Sequence, residues 1–349
     1  MLADAGPDSW GKRVIEHRHR QRPGNPLEYL VSGNGDGAGG LRFSLSRSAM
    51  SKLPNHLAFK DLEEVAAAER DLDEGRVIDD WRLKMVWEAG SSMGGARPKL
   101  TVGGGRDAWL VKLSRKDDEV NMAVLEHACL QAAREAGLTV PDSHISNIGQ
   151  RAALFVRRFD RTEDNSRLHY MSAHALLNLQ TFRPNDVIAP QGMCTYGGIS
   201  ALAQHSMGLV AGPELFQRMI FNVALGNTDD HGRNLGFLKP VDQPWQLAPA
   251  FDLTVVGDSE HAMGLGLRGR EASLANACSD LTRFHLTADQ AQGFVQRAVD
   301  AVAQLPRLMQ DLGATPADLA WVARRLPKPE SVDALFEAPA VRRRRLTAR

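Results

Sequence analysis

Gly226-Asn227-Thr228-Asp229-Asp230-His231-Gly232-Arg233-Asn234 is the stretch around which the chain is read. A helix is expected before it, over Glu214 to Leu225. There Leu215, Phe216, Met219, Ile220, Val223 and Ala224 recur on one helical face. Gly226 is a helix-stop residue. After the stretch, Leu235-Gly236-Phe237-Leu238 reads as a short strand and Pro240 to Pro244 as a turn. Trp245 to Leu247 reads as the returning strand, leading into Ala248-Pro249-Ala250-Phe251-Asp252-Leu253.

Two carboxylates, Asp229 and Asp252, therefore sit at opposite ends of one hairpin, with Asn234 five residues after the first. Phosphoryl transfer by the protein-kinase route uses such a set. One Asp orients or takes up the acceptor hydroxyl proton, and an Asn and a second Asp hold the magnesium that bridges the ATP phosphates. The spacing matches the kinase catalytic and metal loops. The words His-Arg-Asp and Asp-Phe-Gly are absent: Asp229 follows Asn-Thr, and Asp252 sits in Phe-Asp-Leu. Taken singly, Asp229, Asp230 and Asn234 would pass as polar turn residues. The hairpin and the second Asp favour the base-and-metal reading.

At 349 residues the chain has room for two domains or one two-lobed unit. Lys+Arg and Asp+Glu balance at 42 each, which argues against bulk nucleic-acid binding. Cys129, Cys194 and Cys278 are far apart and fit neither a metal nor a disulfide framework. No run is long and apolar enough to span a membrane, and no signal-peptide pattern opens the sequence. A cytoplasmic protein is expected.

The start, Pro7 to Arg13, reads as a capped helix with Trp10 as anchor. Leu27 to Val31 and Leu41 to Leu45 read as strands around a Gly-rich hairpin tip. Asp61 to Asp73 reads as a helix with Glu63, Glu64, Glu69 and Arg70 facing water, and Asp79 to Ala89 as another. This part shows no chemistry of its own. Gly90 to Lys99 is small and flexible, so its backbone N–H groups can approach phosphate oxygens. Leu100 to Val102 and Ala108 to Leu113 read as strands. Lys112 lies among apolar neighbours, where an unpaired charge is costly. Glu126, on the helix Asn121 to Ala136, is its expected partner, as in kinases. The alternatives are an ordinary linker and an edge-strand lysine facing solvent.

Gly137 ends that helix. Ala152 to Phe159 reads as a buried strand interrupted by Arg157 and Arg158, where a two-lobed kinase would cross between lobes past the adenine. Ser172 to Leu179 starts a helix, Gln180 to Tyr196 reads as a long loop, and Gly198 to Met207 as a helix. Val255 to Asn276 reads as irregular. Thr287-Ala288-Asp289-Gln290 is a capping box for a helix running to about Leu305. Thr315-Pro316 opens another. Arg342 to Arg345 form a basic tail, more often solvated than bound to nucleic acid.

With these residues in hand, the chain resembles the HipA family of bacterial toxin kinases. The matching words are Ser92-Met-Gly-Gly-Ala-Arg-Pro-Lys99, Trp109-Leu-Val-Lys112, Gly137-Leu-Thr-Val-Pro-Asp142, Val156-Arg-Arg-Phe-Asp-Arg161, Asn227-Thr-Asp-Asp-His-Gly-Arg-Asn234 and Ala248-Pro-Ala-Phe-Asp252. The last two are the most specific. The resemblance implies an α+β, two-lobed protein-kinase-like fold with a largely helical C-terminal lobe and an N-terminal accessory α/β domain. The expected divisions are an accessory domain over 1–85, an N-lobe over 86–160, a helical C-lobe over 161–330 and a basic tail over 331–349.

The resemblance also implies roles. Asp229 would be the catalytic base, with His231 positioning its loop. Asn234 and Asp252 would hold magnesium. Lys112, paired with Glu126, would hold ATP phosphates. Gly94, Gly95, Ala96, Lys99 and Arg233 would complete the nucleotide site, with Arg157 and Phe159 beside the adenine. Ser92, or else Ser91, would be autophosphorylated, shutting the site. The expected cofactors are ATP and Mg2+. The expected partners are a helix-turn-helix antitoxin of HipB type, DNA only through that antitoxin, and an aminoacyl-tRNA synthetase as substrate. Pro98 stands where the best-known members have Glu, Arg157 where they have a carboxylate, and Arg233 where they have Lys. Strands that precede Pro7 in the family are not found, so a truncated start or a small separate protein supplying them is expected. A small-molecule kinase on the same scaffold and a non-catalytic co-repressor are the rival readings.

Overall fold

The computed structural model describes residues 2, 4–48, 57–90, 97–103, 108–115, 117–164, 166–177, 194–328 and 330–337. Helices α1 (Ser9–His19), α2 (Pro26–Ser32), α3 (Leu62–Asp73) and α4 (Asp80–Gly90) precede a four-stranded antiparallel sheet. Its strands are β1 (Lys99–Val102), β2 (Trp109–Leu113), β3 (Ser143–Ile148) and β4 (Arg151–Arg157), in the order β1-β2-β4-β3. Helix α5 (Met122–Glu135) lies between β2 and β3 in the chain.

Strand alternation decides where the lysines go. Leu100, Val102, Val111, Leu113, Ala153 and Phe155 face one way and share a core with Trp10, Val65, Leu72 and Val86 of the N-terminal helices. Leu154 and Val156 face the other way and pack on Ala123 of α5. Lys99 and Lys112 are register partners on that same α5 face.

The second half is mostly helical. It holds β5 (His169–Ser172), α6 (Ala173–Leu176), α7 (Tyr196–Met207), α8 (Gly212–Leu225), β6 (Gly236–Lys239), β7 (Gln246–Leu247) and α9 (Leu274–Ala277). Then come α10 (Ala288–Ala303), α11 (Leu305–Asp311), α12 (Pro316–Ala323) and α13 (Val332–Phe336). The amphipathic α8 is the centre of its core, where Leu215, Phe216, Met219 and Ile220 meet Phe284, Val295 and Leu305. Val124, Leu125 and Ala128 of α5 join the same core, tying the two lobes together. No helix among the described residues is long and apolar enough to cross a membrane.

Several local expectations are corrected. Leu27 to Val31 is helix α2 and not a strand: Asn25 accepts from Leu27 N and Glu28 N, and Pro26 opens the first turn. Leu41 to Leu45 forms no strand, so no hairpin surrounds Gly33 to Gly37. Among the described residues the N-terminal part is helical, with one isolated bridge between Leu57 and Val102, where an α/β unit was expected. Strands β3 and β5 had no counterpart in the sequence reading. The helix expected to run to about Leu305 breaks after Ala303, and α11 follows. Val332–Phe336, inside the expected tail, is helical and buries Val332. Arg342 to Arg345, and residues 180–193 of the stretch expected as a loop, lie outside the described residues, and Tyr196 at its end opens α7.

Glu69 does not face water. It is 4% exposed on α3, and burial pushes its carboxyl up to about 8. The folded chain therefore keeps this proton where the unfolded chain, with an ordinary value of 4.5, has lost it. Stability contributed here falls as pH rises through that window. Denaturation midpoints measured from about pH 5 to about pH 8.5 should flatten in Glu69→Gln relative to the parent.

Candidate active site

Gly226 ends α8 in the left-handed region (φ 71°), and a Cβ there would meet Pro327 Cδ at 3.0 Å. Its carbonyl accepts from Val256 N and Gly257 N, at 3.0 and 2.9 Å. Thr228 O accepts from Ala262 N at 2.7 Å, and Gly232 O from His174 N at 2.8 Å. The loop is thus anchored along its whole length. Within it Asp229 is exposed and Asp230 is buried. Partial burial still pushes the Asp229 carboxyl above its ordinary range. His231 acts the other way, and Asp252 and Asp258 add to the rise. Asn234 N donates to His231 O at 2.8 Å, closing the turn that carries both residues. His231 Nδ1 is buried with no hydrogen-bond partner among the described residues.

Opposite this loop, Lys112 Nζ joins two carboxylates. It donates to Glu126 Oε1 of α5 and, at 2.6 Å, to Asp252 Oδ1. Burial works against the Lys112 charge, but Asp252 and Glu126 outweigh it and hold the ammonium. Lys112 in turn holds Asp252 below the usual carboxylate range. The Asp252 side chain is 45% exposed, so it is open to the cleft while paired. Its backbone lies at φ 59°, a left-handed conformation that a non-glycine residue seldom adopts. Such conformations cluster at functional sites.

Lys99 joins this group from β1. It is 9% exposed, and burial lowers its pKa, with Asp252, Lys112, Glu126 and Asp8 close enough to act on its charge. Arg233 Nη1 lies 3.4 Å from Asp8 Oδ1. Phe159 stands 5.5 Å from the Phe251 ring, beside Asp252. Arg157 is turned to Asp142, with Nη1 to Oδ2 at 3.2 Å. The structure thus brings Lys112, Glu126, Lys99 and Asp252 together, with Asp229 and His231 across from them. Ser91, Ser92, Gly94, Gly95 and Ala96 lie outside the described residues. Among the described residues no three His, Cys, Asp or Glu side chains form a metal cluster.

Three features escaped the sequence reading. Asp8 is the residue before α1 but makes no side-chain cap, and its carboxylate goes to Arg233 instead. Arg158, read as interrupting a strand, sits in a buried ion cluster with Asp36, Asp160 and Arg161. Tyr196 and Asn222 both hydrogen-bond Asp230 beneath the loop. The Asp8-Ser9-Trp10 word and the dense charge in Arg157 to Arg161 were visible signals, but neither names a partner.

Three comparisons bear on this arrangement. The model of the HipA-like C-terminal domain matches residues 91–306. A Haemophilus influenzae protein named "Putative kinase" is 27% identical over 142 residues, which is 39% of this chain and 41% of that protein. The chain thus spans about two fifths of that relative's length. The fold is shared with a chain in the solved complex of HipA, HipB and operator DNA from Shewanella oneidensis MR-1. That match has a TM-score of 0.65 and 18% identity, and covers 96% of this chain and 80% of the other. The family match spans β1 to α10 and takes in Lys112, Glu126, the loop from Gly226 to Asn234 and Asp252. By that match, the chain belongs to the HipA-like C-terminal domain family.

Proposed function

We propose that the chain is an ATP- and Mg2+-dependent serine/threonine protein kinase, and the toxin of a toxin–antitoxin pair. The observation that supports this most is Lys112, held charged between Glu126 on α5 and the left-handed, half-open Asp252. A kinase needs its phosphate lysine fixed by a helix carboxylate beside a carboxylate free to take metal. A solvated surface lysine would not sit 14% exposed between two acids.

The residues fit nucleotide and metal. Magnesium binds proteins through one or two carboxylates together with substrate phosphates, so a full protein cage is not required. Asn234 and Asp252 would hold it, and Lys112 and Lys99 would face the phosphates. The backbone between Arg157 and Phe159 would meet the base. Bound Mg2+ would neutralise charge on the transferring phosphoryl group. Asp229 would accept the acceptor hydroxyl proton, helped by a pKa that burial raises. His231 and the Asn234 turn would keep it in place, and Arg233 would add charge at the loop's end. Ser92, or else Ser91, would be the autophosphorylated residue.

The acceptor would be a protein, an aminoacyl-tRNA synthetase by family analogy. The antitoxin would be of HipB type, with DNA reached only through it, as suggested by the HipA, HipB and operator DNA complex. The site of action would be the cytoplasm. Calorimetric titration of ATP tests the nucleotide site. Binding should require Mg2+ and weaken at least about tenfold in Lys112→Met, the scale of one charge-assisted contact. Equal binding by parent and variant would remove Lys112 from the site.

A further inference from the structure

Beneath Asp229, donors from two helices meet on one carboxylate. Asp230 is 5% exposed. Its Oδ2 accepts from Tyr196 OH and, at 2.8 Å, from Asn222 Nδ2. Asn222 Oδ1 accepts from Asn227 Nδ2 at 2.9 Å, so each amide is oriented by the next. Tyr196 is the first residue of α7, and Asn222 lies in the last turn of α8. His261 stands 5.9 Å from the Tyr196 ring. Its Nδ1 accepts from Met263 N at 3.2 Å, and burial pushes it down to about 4, so it is a neutral packing partner. Tyr196, Asn222, Asn227 and His261 are all buried, at 0, 4, 1 and 0% exposure.

A satisfied buried polar set can be purely structural. Its placement here argues for more. Asp230 shares a peptide bond with Asp229, and of the two one is buried and the other exposed. Two donors from two different helices meet on a single oxygen of Asp230, which fixes the rotation of that side chain and of the backbone that carries it. An apolar residue would fill the same space without the desolvation cost of a carboxylate. What the polar set adds is direction.

We infer that Tyr196 and Asp230 are positioning residues for Asp229: through Asp230, the Tyr196 and Asn222 donors set the direction in which Asp229 presents its carboxylate to an acceptor hydroxyl. This rests on Asp229 being the proton acceptor. A misplacement of about 1 Å at such a group costs up to about a hundredfold in rate.

The test is Tyr196→Phe, which removes one hydroxyl and keeps the ring. A second variant, Asp230→Asn, keeps the shape and weakens the acceptor. In each, kcat should fall about ten- to hundredfold with KM for ATP unchanged. The double variant should fall no further than the worse single one, because both act along one path. Amide hydrogen exchange should quicken over 227–234 in Tyr196→Phe, with α10 as protected as in the parent. Unchanged kcat in both variants would overturn the inference. So would a joint shift of kcat and KM with loss of protection throughout the chain, which marks a merely structural role. If the parent transfers no phosphate at all, the kinase reading falls and exchange alone decides. Quickening confined to 227–234 then upholds the loop-holding set, and no change overturns it.

Discussion

Replacing Asp229 with Asn is expected to abolish phosphoryl transfer while ATP binding stays at the parent's value and the melting temperature falls no lower than the parent's. Asp229 is exposed at a loop anchored by its neighbours' backbone, so its side chain carries no core packing. The substitution keeps shape and removes only the ability to take a proton. Positioned acid–base catalysis is worth about a hundred- to ten-thousandfold. Loss on that scale with unaltered ATP affinity would separate a proton acceptor from a phosphate ligand. The parent's transfer rate should also fall as pH drops through the folded pKa of Asp229. Because burial raises that pKa above 3.8, the fall should begin at higher pH than for an ordinary aspartate. Full activity in Asp229→Asn would remove it from the chemistry.

The second large effect concerns stability. Asp36→Ala is expected to cost about 3–5 kcal/mol, the scale for leaving a buried charge without its partner. Asp36 Oδ2 pairs with Arg158 Nη1 at 2.7 Å, and its Oδ1 with Arg161 Nη2 at 2.8 Å and Arg167 Nη2 at 3.3 Å. Asp160 holds Arg158 and Arg161 from the other side, at 3.0 and 2.8 Å, and accepts from Gly39 N at 2.8 Å. The Arg158 and Asp36 side chains are 3% and 2% exposed, so water cannot compensate. Removing Asp36 leaves Arg158 and Arg161 sharing Asp160 and takes a carboxylate from Arg167. Although burial favours its neutral form, the adjoining arginines hold Asp160 well below the usual carboxylate range. Its contribution is therefore present above an ordinary value of 3.8 and is lost as pH falls towards the folded value. Urea unfolding at neutral pH measures the first effect. A loss under about 1 kcal/mol would mean that the cluster relaxes into solvent.

Much of the geometry of the candidate site could be read from the sequence because its signals are local. The helix before Gly226, the Asp229 to Asn234 spacing and the hairpin to Asp252 all lie within one short stretch. Lys112 was legible by cost: a lysine in an apolar strand needs a carboxylate, and Glu126 on the next helix supplies it. Asp252 as a second partner was not legible, because that contact closes over 140 residues.

What failed was either weakly patterned or long-range. Ser143–Ile148 is a strand whose outer positions are exposed, so it shows no apolar run. Leu27 to Val31 is apolar enough for a strand, and only the Asn25-Pro26 start marks it as a helix. Periodicity alone puts Glu69 on the water face, whereas the packed N-terminal helices bury it. Asp8 and Asp36 found their partners 225 and 122 residues away, where no spacing rule reaches. The Asp8 side chain leaves the cap that its sequence position suggests, because Arg233 offers it a charge.

Phosphoryl transfer at the Asp229–Asp252 cleft is the activity proposed for this chain. The most direct measurement is incubation of the purified chain with labelled ATP and Mg2+, followed by phosphosite mapping, with Asp229→Asn alongside. Label is expected on a serine, first of all Ser92, and is expected to be absent from the variant and from samples without Mg2+. Label of equal extent in Asp229→Asn, or no label together with no ATP binding, would contradict that proposal.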